Sequence, residues 1–269
     1  MGNCWLHTNK IVSVSGVVIT PDSAATLYPK TNLYNNNPAS VFRTTDAAGA
    51  HNIVFDFGTA TSIDTLAIAN PNFRSSATIT IQANAANAWG APSFTEVVNC
   101  SGLANDPAFE NLFYKFSSTQ NFRYYRLLMS DIGNPDGYYE IGETWLGSRV
   151  TPSQDWEVTW TQNYSDVNVL HQTEWLHDYA YIRDTGDARS ISVEWTGITA
   201  ATVTQIRQLK RSIKTSGYPF WVCPVHTNNP PEALFVRMLG DLEISQRSPT
   251  IYGARAQFRE LPRGQTLPT

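Results

Sequence analysis

The chain has 269 residues, 42% of them hydrophobic and 12% aromatic, which is enough for one large or two ordinary domains with packed cores. Only 16% of the residues are charged and the formal net charge is −4, so no overall basic field is present to attract nucleic acid. The sequence contains no run of 18 apolar residues, and we therefore predict no insertion into a membrane.

The first half of the chain is predicted to consist almost entirely of β-strands. Residues 52–57 alternate between polar and apolar side chains and place Ile53, Phe55 and Phe57 on one face, and we predict that this strand ends at Gly58. The same alternation recurs in four further segments, at residues 66–68, 79–81, 113–116 and 124–128. Short strands separated by turn-rich stretches are typical of a β-sandwich.

A domain boundary is predicted near residue 150, because a strand that ends in Gly147 is followed by a stretch containing proline, serine and glutamine. We therefore predict two domains, residues 1–150 and 151–269. The strands predicted in the second domain lie at residues 156–161, 179–183, 190–195, 219–224, 234–239, 241–246 and 251–258. This domain is predicted to be a β-sandwich or barrel.

One helix, at about residues 200–215, is predicted to flank the strands of the second domain. Its apolar stripe consists of Val203, Ile206, Leu209 and Ile213. Thr199 is suited to cap its beginning and Gly217 to follow its end. The opposite face carries Arg207, Lys210, Arg211 and Lys214. We interpret this face as solvated, because no aromatic residue of the helix alternates with the cations as in a nucleic-acid site.

No catalytic motif is evident in the chain. The sequence has no G-x-S-x-G elbow, no P-loop and no H-E-x-x-H motif, and we predict that the protein is not an enzyme. The segment His171–Asp178 carries potential metal ligands, but we interpret it as a polar strand or loop. A glycan-cleaving enzyme remains the alternative, with Glu140 and Glu143 near the acidic loop that contains Asp131 and Asp136.

The cysteines indicate a reducing compartment. Cys4, Cys100 and Cys223 are far apart and odd in number, so we expect buried thiols rather than a disulfide framework or a zinc site. Residues 11–20 are too short and too interrupted by serine to form the core of a secretory signal. We therefore expect synthesis in the cytoplasm.

Aromatic residues on predicted loops are the best candidates for ligand or protein contacts. Such rings can stack on sugars or anchor a protein interface, and they can equally fold back over the ends of a sandwich. The predicted contact residues are Asn35, Asn37, Phe42, Arg43, Phe73, Asp136, Tyr138 and Tyr139.

Residues 1–150 resemble the discoidin or coagulation-factor C-type family, which includes carbohydrate-binding modules. The resemblance rests on the turn Asn35–Arg43, on Asp56-Phe57-Gly58, on Arg123-Tyr124-Tyr125-Arg126 and on the strand from Glu143 to Gly147. It implies a jelly-roll β-sandwich used for binding. Relatives that hold calcium supply an aspartate where this chain has Asn35, so the resemblance implies at most a weak structural calcium site and no other cofactor.

Residues 151–269 resemble bacteriophage tail proteins of the tail-tube or distal-tail fold. The order of elements carries this resemblance: the strand 189–195, the helix, the strand 219–225 and the late hairpin 239–258. It implies assembly into a ring, with a hexamer favoured over a trimer, through pairing of exposed strand edges.

Together the two resemblances predict a structural component of a siphophage tail tip or distal tail, located in the virion. The second domain would form the ring, and the sandwich would contact other tail proteins or host-surface glycan. The alternative is a carbohydrate-binding protein of bacterial origin.

Overall fold

The computed structural model describes residues 3–101, 111–152, 154–156, 161–165, 169–172, 178–181, 188–214, 217–225 and 231–261. The chain forms two compact units. The first comprises Met1–Thr151 and Phe220–Phe235, and the second comprises Pro152–Pro219 and Val236–Thr269.

Both units are mainly β, as predicted. The strands are β1 (Cys4–Leu6), β2 (Val18–Pro21), β3 (Phe42–Arg43), β4 (His51–Ile68), β5 (Thr78–Asn84), β6 (Phe94–Val98), β7 (Leu112–Ser130), β8 (Glu140–Ile141), β9 (Thr144–Gly147), β10 (Thr161–Ser165), β11 (Val169–Gln172), β12 (Asp178–Tyr181), β13 (Ala188–Ile198), β14 (Phe220–Cys223), β15 (Leu234–Gln246) and β16 (Tyr252–Glu260). The α-helices are α1 (Lys10–Ser13) and α2 (Ala200–Ser212), and a 3₁₀ helix covers Lys30–Tyr34. Among the described residues, no helix is long and apolar enough to cross a bilayer.

The sandwich of the first unit is organised around two long antiparallel strands, β4 and β7. The beginning of β4 and the end of β7 form one layer, with β2 beside β4 and with β5 and then β6 beside β7. The end of β4 pairs with the beginning of β7 and with β9, which gives a second layer of three strands. Inward-facing side chains of both layers, such as Phe55, Leu66 and Leu127, share one core.

The prediction that a strand ends at Gly58 was wrong. The pairing of β4 with β7 slips between Asp56 and Thr61 and then resumes, so β4 runs on to Ile68. Gly58 lies within this irregular stretch at φ +72°, a conformation that glycine adopts without the steric cost of a Cβ atom. A glycine in a strand pattern therefore marks a bulge here and not an end.

The three-stranded layer is buried on both faces. Trp145 of β9 and Phe113 of β7 point away from the main core and are 3% and 4% exposed. The ring centroid of Phe235 lies 5.7 Å from that of Trp145 and 4.9 Å from that of Trp221. Residues 220–235 therefore group with the first unit, a return of the chain that a division into 1–150 and 151–269 does not include.

The second unit contains an antiparallel sheet in which β16 lies between β15 and β13, and β10 pairs with the other edge of β13. Strand β15 is continuous, and its register with β16 shifts between Leu239 and Glu243, where two separate strands were predicted. Strands β11 and β12 pair separately with each other.

Helix α2 confirms the predicted helix. All four residues of the apolar stripe are buried, and the Thr199 side chain accepts a hydrogen bond from the N–H of Thr202. The predicted end was wrong, because the helix stops at Ser212 and Lys214, not Gly217, adopts a left-handed φ of +45°. The peptide N–H of Tyr218 then bonds the carbonyl of Ile213 at 3.1 Å, which satisfies a carbonyl at the helix end.

Candidate functional site

Three loops of the first unit converge at the end of the sandwich where β4 and β5 begin and β7 ends. The strand register places His51 opposite Met129 and Thr78 opposite Ser130, so the segments next to these residues emerge together. We call the three segments, residues 22–50, 69–77 and 131–143, the loop end. Strand β3 of the first segment pairs with β8 of the third, which fixes these two segments to each other.

Arg43 lies between two tyrosine rings at the centre of the loop end. Its guanidinium carbon is 3.9 Å from the ring centroid of Tyr28 and 4.5 Å from that of Tyr138. The β3–β8 register pairs Arg43 with Glu140, and the Arg43 Nε donates to Glu140 Oε2 at 2.6 Å. The two side chains are only 12% and 3% exposed. The guanidinium is therefore fixed by a buried ion pair and by contact with both rings.

Asn72 ties the second loop to the third. Its side-chain Nδ2 donates to Asp136 Oδ2 at 2.9 Å and to the carbonyl of Tyr138 at 3.0 Å. Its Oδ1 accepts the N–H of Glu140 at 2.7 Å. These bonds hold Asp136 beside Tyr138 before any ligand is bound. Burial raises the pKa of Tyr138, against the opposing effect of the Arg43 charge.

A second ion pair, between Arg74 and Asp131, joins the second loop to the third. Asp131 is buried and accepts both the backbone N–H of Arg74 at 3.0 Å and its Nε at 2.9 Å. The Arg74 Nη2 also donates to the carbonyl of Ile132 at 2.8 Å. Asn134 donates from its Nδ2 to Asp131 Oδ2 at 3.0 Å. The 131–143 loop is thus held at both of its ends by charge-assisted hydrogen bonds.

The floor of the loop end is aromatic. The hydroxyl of Tyr139 donates to the carbonyl of Gly49 at 2.8 Å and accepts the N–H of Asp131 at 2.9 Å. Its ring packs edge-on against His51, with 5.6 Å between the centroids, and tilts against Phe73 at 5.7 Å. Tyr139 therefore connects all three loops from inside the unit.

Glu143 lies fully buried beneath the Asn35–Asn37 turn. Its Oε2 accepts the N–H of Asn36 at 2.8 Å, and its Oε1 accepts Trp145 Nε1 at 3.1 Å. Burial raises the pKa of Glu143 to about 8, against the lowering effect of these donors and of the backbone N–H groups of Asn35 and Asn37. The turn thus presents N–H donors to the carboxylate. Calcium requires oxygen ligands, which the N–H groups of this turn do not supply.

Three of the predicted contact residues belong to the core. Phe42, Phe73 and Tyr139 are 0%, 2% and 0% exposed, so their rings are not available to a ligand and the prediction was wrong for them. The cause is the alternation of extended chain. Phe42 points inward where its neighbour Arg43 does not, and Tyr139 points inward where Tyr138 does not.

The other five predicted residues reach the surface at the loop end. Asn35, Asn37 and Asp136 are exposed, and Arg43 and Tyr138 are half-buried. The structure brings Arg43, Asp136 and Tyr138 together, whereas Asn35 and Asn37 lie in the turn above Glu143. Whether any of them binds a ligand stays a prediction.

Several residues of the site were not predicted from the sequence, among them Tyr28 and Asn72. Tyr28 lies in a segment with no strand or helix pattern, and Asn72 lies in a turn-rich stretch where asparagine is common. The carbonyl of Tyr28 accepts the N–H of Arg43 at 3.4 Å, and the N–H of Asn72 donates to the carbonyl of Glu140 at 3.2 Å, and these bonds between distant segments bring the two residues to the site. The Asn-Pro-Asn sequence at 70–72 was the one available signal, because such turns favour side-chain hydrogen bonds to the backbone.

Among the described residues, no group of three or more His, Cys, Asp or Glu side chains is arranged to hold a metal ion. Part of the segment His171–Asp178, residues 173–177, lies outside the described residues.

Comparison with known proteins gives similarities to parts of solved structures. No protein-family model matches the chain, and no curated protein sequence matches it. A fucosidase from Ruminococcus gnavus in complex with fucose is 12% identical to this chain, with a TM-score of 0.41. The match covers 53% of this chain and 27% of the fucosidase, so this chain spans about a quarter of that enzyme. A family 32 carbohydrate-binding module from Clostridium perfringens in complex with galactose is 15% identical, with a TM-score of 0.38, over 55% and 99% of the two chains. A chitosan-binding module from Paenibacillus is 16% identical, with a TM-score of 0.40, over 53% and 100%.

Proposed function

We propose that the protein is a non-catalytic binding protein whose loop end recognises carbohydrate. The observation that carries this proposal is the stack of Tyr28, Arg43 and Tyr138, whose members reach the surface in part and which stands beside the exposed carboxylate of Asp136. Binding sites for small polar ligands combine aromatic faces with a few fixed polar groups in this way.

The chemistry of a sugar suits these groups. Its C–H face is apolar and packs on an aromatic ring, while its hydroxyls both donate and accept hydrogen bonds. Asp136 offers acceptor oxygens, and Asn72 holds that carboxylate at 2.9 Å from its own amide nitrogen. Tyr138 offers a ring whose position is fixed by Arg43.

The loop end is organised in advance of binding. Arg43 is locked by Glu140, and Arg74 is locked by Asp131, so the backbone of all three loops is held without a ligand. A site that needs no reordering retains more of its interaction energy as affinity, which matters for weakly bound sugars.

The two carboxylates of the glycosidase alternative are poor candidates for catalysis. Glu140 is 2% exposed and paired with Arg43, and Glu143 is 0% exposed beneath the Asn35–Asn37 turn. A glycosidase needs its acid and base to face the scissile bond across an open cleft. This arrangement supports binding without turnover.

The test is a titration of the protein with fucose, galactose and chitosan oligosaccharide, followed by NMR or calorimetry. These probes are chosen because solved proteins of similar fold hold fucose or galactose or bind chitosan. We expect millimolar to micromolar binding of at least one probe, with a loss of tenfold or more in Tyr138→Ala, corresponding to about 1.4 kcal/mol or more.

Tyr124→Ala is the matched control for Tyr138→Ala. Tyr124 is also half-buried and also carries an arginine over its ring, with Arg123 Cζ at 4.8 Å from the centroid. It lies six residues along β7 from Ser130, about 20 Å from the loop end. Equal losses in both variants, or no binding of any probe on a glycan array, would contradict the proposal.

The tail-protein role is the second candidate. The observation in its favour is the antiparallel sheet of the second unit, in which α2 follows β13 along the chain and precedes β15 and β16. The similar proteins named above are not tail proteins, and ring formation and a virion location stay predictions. Light scattering coupled to size separation tests them, since a monomer at all concentrations that still binds sugar contradicts a ring.

A further inference from the structure

Cys4 and Cys223 stand directly opposite each other in the first unit. Strand β1 pairs with β14 in antiparallel register, and the register places Cys4 against Cys223. Both side chains are fully buried and both are free thiols. The two residues are separated by more than two hundred positions in the sequence, so no spacing rule could have connected them.

We propose that Cys4 and Cys223 form a dithiol–disulfide redox site that covalently joins β1 to β14 when the protein meets a low-molecular-weight disulfide. The site is independent of the loop end and of the proposed carbohydrate binding.

The backbone geometry allows this bond. Directly opposed residues of an antiparallel pair have Cα atoms about 4.5 or about 5.5 Å apart, depending on whether the pair is hydrogen-bonded. Disulfides form across Cα separations of about 4.4–6.8 Å, so either type of pair qualifies. Directly opposed residues of such a pair place their side chains on the same face of the sheet, with Cβ atoms about 4.5–5.5 Å apart, so the two thiols are neighbours. Closing the bond requires the two Cβ atoms to approach to about 3.5–4.5 Å, a shift of about 1 Å, together with rotation about each χ1.

The chemistry balances with a disulfide oxidant such as oxidised glutathione. One protein thiolate attacks the oxidant, forms a mixed disulfide and releases one glutathione thiolate. The second protein thiolate attacks the mixed disulfide, which forms the Cys4–Cys223 bond and releases the second glutathione. The protein loses two electrons and two protons, and the oxidant is reduced to two thiols.

Burial controls when this reaction takes place. The neighbouring Cys4 side chain and burial raise the pKa of Cys223, so Cys223 carries little thiolate in the closed structure. Strand β1 has only three residues. Among the described residues its backbone pairs with β14 on one side and with Val150 on the other, where Trp5 and Val150 exchange hydrogen bonds of 3.0 and 2.8 Å. The bond therefore forms during folding or when β1 detaches, and it is then protected by the closed structure.

Cys100 is the internal control. Burial raises the pKa of its thiol to about 11, and its Sγ donates to the carbonyl of Val98 at 3.5 Å. It belongs to the main core of the sandwich, whereas Cys4 and Cys223 pair in β1 and β14. Cys100 is therefore expected to remain a thiol under the same conditions.

The experiment is refolding of the full chain in buffers of reduced and oxidised glutathione, followed by alkylation and peptide mapping. We expect one linkage, between the peptides of Cys4 and Cys223, the loss of two hydrogen atoms from the intact mass, and alkylation of Cys100 alone. The oxidised protein is expected to unfold about 5 °C or more above the reduced protein, because the bond closes a very long loop.

Cys223→Ala and Cys100→Ala are the matched variants. Cys100→Ala is expected to keep both the linkage and the shift in unfolding temperature, and Cys223→Ala is expected to lose both. Absence of the linkage in the refolded wild-type protein, a linkage that involves Cys100, or an oxidised protein that unfolds at or below the temperature of the reduced one would each overturn the proposal. These three readouts use wild-type protein, so they remain decisive even if Cys223→Ala fails to fold.

Discussion

Replacing Glu143 by glutamine should make the stability of the first unit less sensitive to alkaline pH. Glu143 is fully buried, and its carboxylate receives N–H donors from Asn36 and Trp145. Burial outweighs these donors and raises its pKa to about 8 from an ordinary value of 4.5. The folded unit therefore holds this side chain in its neutral form at pH 7.

The sign of the pH dependence follows from the two pKa values. In the unfolded chain Glu143 loses its proton near pH 4.5, and in the folded unit it keeps the proton up to about pH 8. Folding takes up a proton between these values, so stability falls as the pH rises through this window. With about 1.4 kcal/mol for each pKa unit, the contribution of Glu143 changes by about 4 kcal/mol between pH 5 and pH 9.

Glu143→Gln removes the ionisation and keeps the shape of the side chain. We expect the variant to be about 1 kcal/mol less stable than wild type at pH 5, where an amide replaces a neutral acid. At pH 9 we expect it to be more stable by about 3 kcal/mol. Urea unfolding followed by tryptophan fluorescence measures both values, and other titrating groups cancel because they are common to both proteins.

Glu96→Gln provides the control on the surface of the same unit. Glu96 is partly exposed and accepts hydrogen bonds from the N–H of Ser117 and from the side chain of Tyr114, both of which an amide oxygen can also accept, so its replacement should change stability by less than about 1 kcal/mol at either pH. If the difference between Glu143→Gln and wild type is the same at pH 5 and pH 9, the buried neutral carboxyl inferred from the structure does not exist.

Two further substitutions test the packing of the loop end. Glu140→Gln leaves the Arg43 charge buried between two rings without its carboxylate partner. We expect the free energy of unfolding in urea to fall by about 3–5 kcal/mol, and a smaller fall would indicate that the ion pair is open to water. Gly142→Ala places a Cβ 2.5 Å from the carbonyl oxygen of Ala69, so we expect a loss of about 1–3 kcal/mol in the same assay. An added Cβ at Gly49 meets nothing within 4 Å, and equal effects of the two alanine substitutions would refute a steric cause.

Much of the fold could be predicted from local patterns. Alternation located the strand around residues 53–57, and the apolar stripe with its Thr199 cap located α2. The patterns failed where a local signal has two meanings. Gly58 was interpreted as a strand end although it bends one continuous strand, and Gly217 was interpreted as a helix end although Lys214 takes the left-handed conformation.

The return of residues 220–235 to the first unit had no local signature. Strand β14 alternates like any buried strand, and what distinguishes it is its pairing with β1 and the packing of Trp221 on Phe113 at 6.5 Å between centroids. The necessary clue lay in the three-stranded layer, where all four residues of β9 are buried. A strand that is apolar on both faces needs a cover on its second side.

The site illustrates the same limit at the level of single residues. Arg43 and Tyr138 were both predicted as contact residues, yet each was predicted together with a neighbour that faces inward, Phe42 or Tyr139. Alternation in extended chain allows only one member of each pair to face solvent. The two-residue pairing of β3 with β8 then decides which polar groups meet, and pairing between distant short segments is not encoded in either segment alone.

Some residues of the loop end hold the loops together and others only reach the surface, and this difference determines which substitution can separate binding from folding. Arg43, Glu140 and Asn72 hold the loops together, so their replacement would change sugar binding and stability at once. Tyr138 is different, because the hydrogen bond that ties it to Asn72 is accepted by its backbone carbonyl and does not involve its side chain. Truncating its ring removes one face of the stack around Arg43 while the loop stays tied. A loss of affinity in Tyr138→Ala at unchanged unfolding temperature is therefore the result that would distinguish a binding surface from a structural cluster.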